Sequence, residues 1–196
     1  MYRVLRNVCI AALAMSLVSC GSSQQEPQVL YGTDITGADF AQKLQLTDHN
    51  GKSRTLDDYK GKVVALFFGY THCPDVCPTT MSDLAAALKL MGDRAAEVQV
   101  LFVTVDPERD TQEILSQFVP SFNPTFVGLY GSPEQTAETA KNFKIFYEKQ
   151  VDPGKSGYTI DHSAGVYAFD KQGKIRIYLK FGQKPEELAH DLGTLL

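Results

Sequence analysis

The chain has 196 residues, of which 43% are hydrophobic and 21% charged. That length and balance suit one folded domain with a sizeable core, and exclude a disordered chain, a collagen-like repeat and a multi-span membrane protein. Nineteen basic residues against 23 acidic ones leave a net charge of −4, scattered without a basic patch, so no nucleic-acid partner is expected.

Residues 1–20 stand apart. Arg3 and Arg6 precede an apolar run over residues 8–18, and small residues follow. The run is too short to span a bilayer, which takes roughly 20 apolar residues as a helix. A charged start, a short apolar stretch and small residues read as a secretory signal rather than as a buried helix. Leu17-Val18-Ser19-Cys20 also resembles a bacterial lipobox, whose cysteine becomes the lipidated first residue. Residues 1–19 are then signal peptide, and residues 20–38 a tether lipidated at Cys20, polar over residues 22–28. Cleavage discards Cys9 with the two arginines and moves the charge from −4 to −6. Residues 39–196 then form a domain working outside the cytoplasm, on the periplasmic side or at the cell surface. Unprotected thiols tend to oxidise there.

Within that domain, residues 63–70 and 98–105 are near-continuous apolar runs, as in strands covered on both faces. Between them Met81, Leu84, Ala85, Leu88 and Met91 repeat at helical spacing, with Pro78 suited to a first helical position. Asp110-Thr111-Gln112-Glu113 reads as a capping box opening a second helix that stops near Pro120. Residues 125–130 read as a strand, and Ser132-Pro133-Glu134 starts a helix toward Phe146. Residues 148–162, with Pro153, Gly154 and Gly157, read as a long loop. Residues 164–170 and 174–181 form a hairpin, the second strand alternating Ile175, Ile177, Leu179 and Phe181 with polar neighbours. Pro185 opens a last helix carrying Leu188, Ala189, Leu192 and Leu195. The result is one α/β domain, a central mixed sheet flanked by helices.

The chemistry concentrates in Cys73-Pro74-Asp75-Val76-Cys77-Pro78, directly after a buried strand and before a helix. In that turn two sulfurs can approach each other, and a helix N-terminus favours thiolates. A loop this short gains little from a stapling disulfide, so the pair reads as redox-active or metal-binding.

The order of strand, cysteine pair, helix, strand, helix, hairpin and helix resembles the thioredoxin fold, with residues 124–157 as a strand–helix insertion before the C-terminal hairpin. The cysteines are one residue further apart than in thioredoxin, and Ile160-Asp161-His162-Ser163 stands where thioredoxin has a proline. Residues 69–78 (Gly-Tyr-Thr-His-Cys-Pro-Asp-Val-Cys-Pro), residues 105–111 (Val-Asp-Pro-Glu-Arg-Asp-Thr) and Asp161-His162-Ser163 together resemble the Sco/SenC family over residues 40–190. The resemblance implies a copper-binding assembly factor for cytochrome c oxidase, with Cys73, Cys77 and His162 as ligands.

Copper suits those donors on chemical grounds as well. Two thiolates are soft ligands for Cu(I), an added imidazole accommodates Cu(II), and a closed zinc site would want a fourth protein ligand. His72 adjoins Cys73, but neighbours on an extended segment point to opposite sides. His49 and His190 read as surface or core residues. Asp161 or Asp106 suits a hydrogen bond to the imidazole, and equally a turn or helix-start role. With the resemblance, the expected function is delivery of one copper per chain to a copper-accepting oxidase subunit. A thiol–disulfide oxidoreductase acting on that subunit's cysteines, itself served by a reductant, is the alternative. A peroxiredoxin-like peroxidase ranks lower, because Thr71 lies two residues before Cys73 instead of three. A purely electron-transferring copper protein is a further alternative, disfavoured because methionine is scarce near the ligands and no blue-copper pattern appears.

Overall fold

The computed structural model describes residues 29–151, Gly154 and residues 157–196. The proposed signal, Cys9 and Cys20 lie outside the described residues. In chain order the elements are β1 (Thr33–Asp34), β2 (Gln45–Asp48), β3 (Ser53–Thr55), β4 (Val63–Gly69), α1 (Val76–Met91), β5 (Val98–Thr104), α2 (Gln112–Phe122) and β6 (Val127–Tyr130). Then follow α3 (Pro133–Asn142), β7 (Tyr147–Val151), β8 (Tyr158–His162), β9 (Val166–Phe169), β10 (Ile175–Leu179) and α4 (Pro185–Gly193). Eight strands form a mixed sheet in the order β1-β10-β9-β4-β5-β6-β2-β3, and β7 and β8 pair separately as a small arm.

The apolar runs decide the centre of the sheet. Every residue of β4 is buried, and β5 is buried at all but Gln99. Such strands must be covered on both faces, and β4, β5 and β6 lie parallel. β10 buries Ile175, Ile177 and Leu179 and half-exposes Arg176 and Tyr178, as its alternation requires. Helix α1 packs on α4, and α2 covers β6. This is the expected thioredoxin-like arrangement, and the strand–helix insertion is present as β6 and α3. Among the described residues no helix is long and apolar enough to cross a membrane.

Several local expectations are corrected. The region read as a loop over residues 148–162 is the β7–β8 hairpin, paired from Tyr147 opposite His162 to Val151 opposite Tyr158. Its outer strand is polar and exposed, so it shows no apolar period. Helix α2 is capped by Thr111, whose hydroxyl accepts the Ile114 N–H at 3.3 Å, while Asp110 turns inward to another task. Pro120 lies inside α2, which runs on to Phe122. Helix α3 ends at Asn142, short of Phe146, after a Ser132 cap reinforced by Gln135. Pro78 is the third residue of α1, a position whose N–H has no helical partner either. Strands β1 to β3 have no apolar signature, and β1 pairs with β10 at Thr33–Asp34 inside the segment expected to be tether.

Candidate metal centre

Strand direction brings three separated segments to one end of the sheet. Gly69, the last residue of β4, lies beside Thr104 at the end of the parallel β5, so the segments after both strands leave together. β9 runs antiparallel to β4 with Val166 opposite Phe67, which puts the residues just before β9 at that same end. Cysteines 73 and 77, the Asp106–Asp110 turn and His162 therefore meet, although 85 residues separate Cys77 from His162.

The two sulfurs differ. Cys73 is half-buried in the turn after β4, whereas Cys77, the second residue of α1, is fully buried. Both are free thiols. The Cys77 N–H, unpaired within its own helix, donates to Cys73 Sγ at 3.4 Å. The expectation that the helix N-terminus favours both thiolates is not met at Cys77, where burial pushes the thiol well up. A cation taking the place of the proton would relieve that cost.

His162 ends β8, at the base of the arm. Its Nδ1 lies 3.0 Å from the Ser163 carbonyl oxygen, which only accepts. Nδ1 must therefore carry the hydrogen, and Nε2 turns its lone pair toward Cys77 Sγ, 3.3 Å away. The Phe67 and Tyr70 rings meet the imidazole edge-on at centroid distances of 6.0 and 5.8 Å. Burial among them lowers the His162 pKa and keeps the ring neutral, against the Ser163 carbonyl and Asp161, which favour the cation. One ligand atom each from Cys73, Cys77 and His162 lies within 4.8 Å of the others. Two sulfurs and a bare imidazole nitrogen make a three-donor set for a soft metal ion.

The residues after β5 hold this geometry. Asp110 is buried and accepts three bonds: the Thr71 N–H at 3.0 Å, the Thr71 hydroxyl at 2.6 Å and the Thr104 hydroxyl at 2.6 Å. It ties the segment ahead of Cys73 to the end of β5, although burial raises its pKa against the pull of those donors. Arg109 reaches the arm instead. Its Nε donates to Asp106 at 2.5 Å, its Nη1 to the Tyr158 carbonyl at 2.9 Å, and its guanidinium lies 3.6 Å from the Tyr158 ring centroid. The Tyr158 hydroxyl donates to Asp106 at 2.7 Å, and the Ile160 N–H to the Tyr70 hydroxyl at 3.2 Å. β8 is thus pinned twice before it reaches His162. Asp110→Ala, which strands buried donors, is expected to cost about 2–4 kcal/mol in denaturant unfolding of the reduced protein. Unchanged stability would assign no structural weight to that carboxylate.

The sequence expectations sort accordingly. Cys73, Cys77 and His162 are brought together, and the other histidines are not. His72 is half-exposed, with Nδ1 3.1 Å from the Thr71 hydroxyl. His49 Nδ1 accepts the Gly128 N–H at 3.0 Å, and His190 sits 3.1 Å from Asp191 on α4. Neither Asp161 nor Asp106 bonds the imidazole: Asp161 is exposed on β8, Asp106 serves Arg109 and Tyr158, and the Ser163 carbonyl fills the role. A main-chain acceptor has no signature in sequence. Asp110 reads as part of a capping box and, with Arg109, as part of the residues 105–111 motif; neither reading gives its task at the site.

Comparison with known proteins agrees with this arrangement. The family model SCO1/SenC matches residues 32–196. The chain is 40% identical to the copper-bound ScoI of Bradyrhizobium japonicum, with a TM-score of 0.72, covering 79% of this chain and 98% of that one. A SCO1/SenC family lipoprotein from Bacillus anthracis str. Ames superposes with a TM-score of 0.70 at 26% identity, over 85% and 99% of the two chains. Protein sco1 of Schizosaccharomyces pombe is 35% identical over 154 residues, and the alignment spans 77% of this chain but only 59% of that relative's length. With its motifs on three segments meeting at one end of a thioredoxin-like sheet and the family match running from before β1 to the last residue, the chain belongs to the SCO1/SenC family.

Proposed function

We propose that the protein binds one copper ion through Cys73 Sγ, Cys77 Sγ and His162 Nε2, and delivers it to a copper-accepting oxidase subunit during assembly of cytochrome c oxidase. The observation that carries this reading is the convergence of those three donors within 4.8 Å, with the His162 lone pair aimed at sulfur. The copper-bound Bradyrhizobium relative supports the choice of metal. Delivery takes place outside the cytoplasm from a domain held to a bacterial membrane by lipid on Cys20, a reading supported by the lipobox-like residues and by the Bacillus lipoprotein.

Reduced protein is expected to take up one equivalent of copper. His162→Ala should weaken Cu(II) binding about tenfold or more beyond its effect on Cu(I), because two thiolates alone hold Cu(I) in near-linear coordination. Competition titrations of both ions check this, and unchanged Cu(II) affinity removes His162 from the ligand set. Cys20→Ser should move the protein from the membrane fraction to the soluble extracytoplasmic fraction. Retention of that variant in the membrane fraction rejects the lipid anchor.

A second reading is supported by the asymmetry of the thiols. A half-buried Cys73 with a fully buried Cys77 behind it suits an attacking and a resolving thiol, so the domain would also exchange disulfides with the client's copper-binding cysteines. A separate reductant then restores the dithiol.

A further inference from the structure

We infer that the Tyr70 hydroxyl donates a hydrogen bond to Cys73 Sγ and so sets how strongly that sulfur binds copper, favouring Cu(I) over Cu(II). The inference rests on the proposed copper site and adds to it a positioning residue that touches no metal. Tyr70 follows the last residue of β4 and is only 2% exposed. Its carbonyl accepts the Cys73 N–H at 3.3 Å, its ring meets His162 edge-on, and the Arg109 guanidinium stands 5.8 Å from the ring centroid. Phenylalanine would make every one of those contacts, so they leave the hydroxyl unexplained.

The hydroxyl oxygen accepts the Ile160 N–H at 3.2 Å. That bond occupies a lone pair and leaves the hydroxyl hydrogen to be placed. A buried O–H without an acceptor is costly. Cys73 supplies the acceptor. Burial raises the Tyr70 pKa most, and a side-chain hydrogen bond with Cys73 adds to the rise, against the Ile160 N–H, which lowers it. A hydrogen bond that favours the protonated phenol is one in which the phenol donates. The main chain of the same residue serves the other sulfur: burial raises the Cys77 pKa, and a hydrogen bond from the Tyr70 backbone opposes it.

Cys73 Sγ then takes two donors, the Tyr70 O–H and the Cys77 N–H at 3.4 Å. Each draws electron density from the sulfur, and hydrogen bonding at a thiolate sulfur tunes the potential of its copper. Cu(II) leans on thiolate donation more than Cu(I) does, so the Tyr70 hydroxyl steadies the Cu(I) cargo. Because the main-chain bonds survive a change of side chain, the hydroxyl can be tested by itself.

Two replacements do so. Tyr70→Phe removes the donor, and a site-directed fluorotyrosine in place of Tyr70 keeps both bonds and strengthens the donor. Each reduced protein is titrated with Cu(I) and with Cu(II) against competing chelators, and its sulfur-to-Cu(II) charge-transfer band is recorded. Tyr70→Phe is expected to lower the ratio of Cu(I) to Cu(II) affinity at least about fivefold and to move the band about 10 nm or more to longer wavelength. The fluorinated chain should move both the other way, and it decides alone if Tyr70→Phe fails to fold. Arg109→Lys is the comparison, because it loosens the arm and His162 while leaving the Tyr70 hydroxyl in place. It should raise the affinity ratio, since Cu(II) depends on the imidazole. A Tyr70→Phe protein that also raises the ratio, or a band unmoved by either replacement, would overturn the inference and leave the hydroxyl as a pin for β8. If the reduced parent takes up no copper or shows no such band, the proposed copper site itself fails.

Discussion

Protein oxidised to a Cys73–Cys77 disulfide is expected to bind copper at least about a thousandfold more weakly than reduced protein, because thiolates are the strong ligands. The sulfurs already lie within 4.8 Å of each other. Closing to a bond of about 2.05 Å asks for movement of the turn that carries Cys73, not of β4 or α1. Two electrons and two protons leave on oxidation, and both sulfur ligands are lost with them. What remains is His162 Nε2, a single neutral imidazole held by the Ser163 carbonyl. The experiment titrates copper against a competing chelator, using protein whose disulfide is verified by mass and by thiol count. Tight binding by that form would remove both cysteines from the site. The expected result makes the dithiol state the loadable one, so the proposed copper delivery and the proposed disulfide exchange would be two uses of one pair.

Gly69→Ala is expected to lower stability by about 1–3 kcal/mol and to weaken copper binding at least about tenfold. Gly69 closes β4, just before the turn that bears Cys73. A Cβ there would stand 2.9 Å from each of three atoms: Cys77 Sγ, Phe102 Cε2 and Phe67 Cε1. All three residues are buried, with exposures of 0%. Phe67 also meets His162 edge-on, so pressure on its ring reaches a second ligand. The control is Gly61→Ala. Gly61 sits at φ +88° with nothing within 4 Å of a would-be Cβ. It should cost about 1 kcal/mol through backbone strain and leave copper affinity unchanged. Urea unfolding of the reduced proteins and copper titration separate the two effects. Parent-like affinity in Gly69→Ala would show that Cys77 has room to shift.

Mutational order within the site follows from its supports. Asp110 acts on Cys73 through Thr71, and Arg109 acts on His162 through β8. Damage at Asp110 therefore reaches the sulfur side first, and damage at Arg109 the imidazole side. Both residues belong to one short segment after β5, which explains how a turn that touches no donor atom governs two of them.

Much of this protein was legible in its residues because the signals were local and strong. Strands β4 and β5 announce themselves as apolar runs that only a covered sheet accepts. β10 shows its alternation, and Ser132 and Pro133 mark the start of α3. The cysteine pair is visible because both residues sit on one turn. His162 was assignable only through its motif, since 85 residues separate it from Cys77 and no periodicity links them. Tertiary structure alone decided the rest. β1, β2 and β3 are short and mostly polar, held by ladder bonds of β1 to β10, β2 to β6 and β3 to β2 rather than by propensity. The β7–β8 arm hides in a Pro- and Gly-bearing stretch because its stability comes from cross-strand pairing and from Tyr70 and Arg109 beneath it. Asp110 looks like a cap in sequence, yet burial turns it toward Thr71 and Thr104. Sequence names the donor atoms; strand direction decides that they meet, and burial decides that His162 meets the sulfurs as a neutral base.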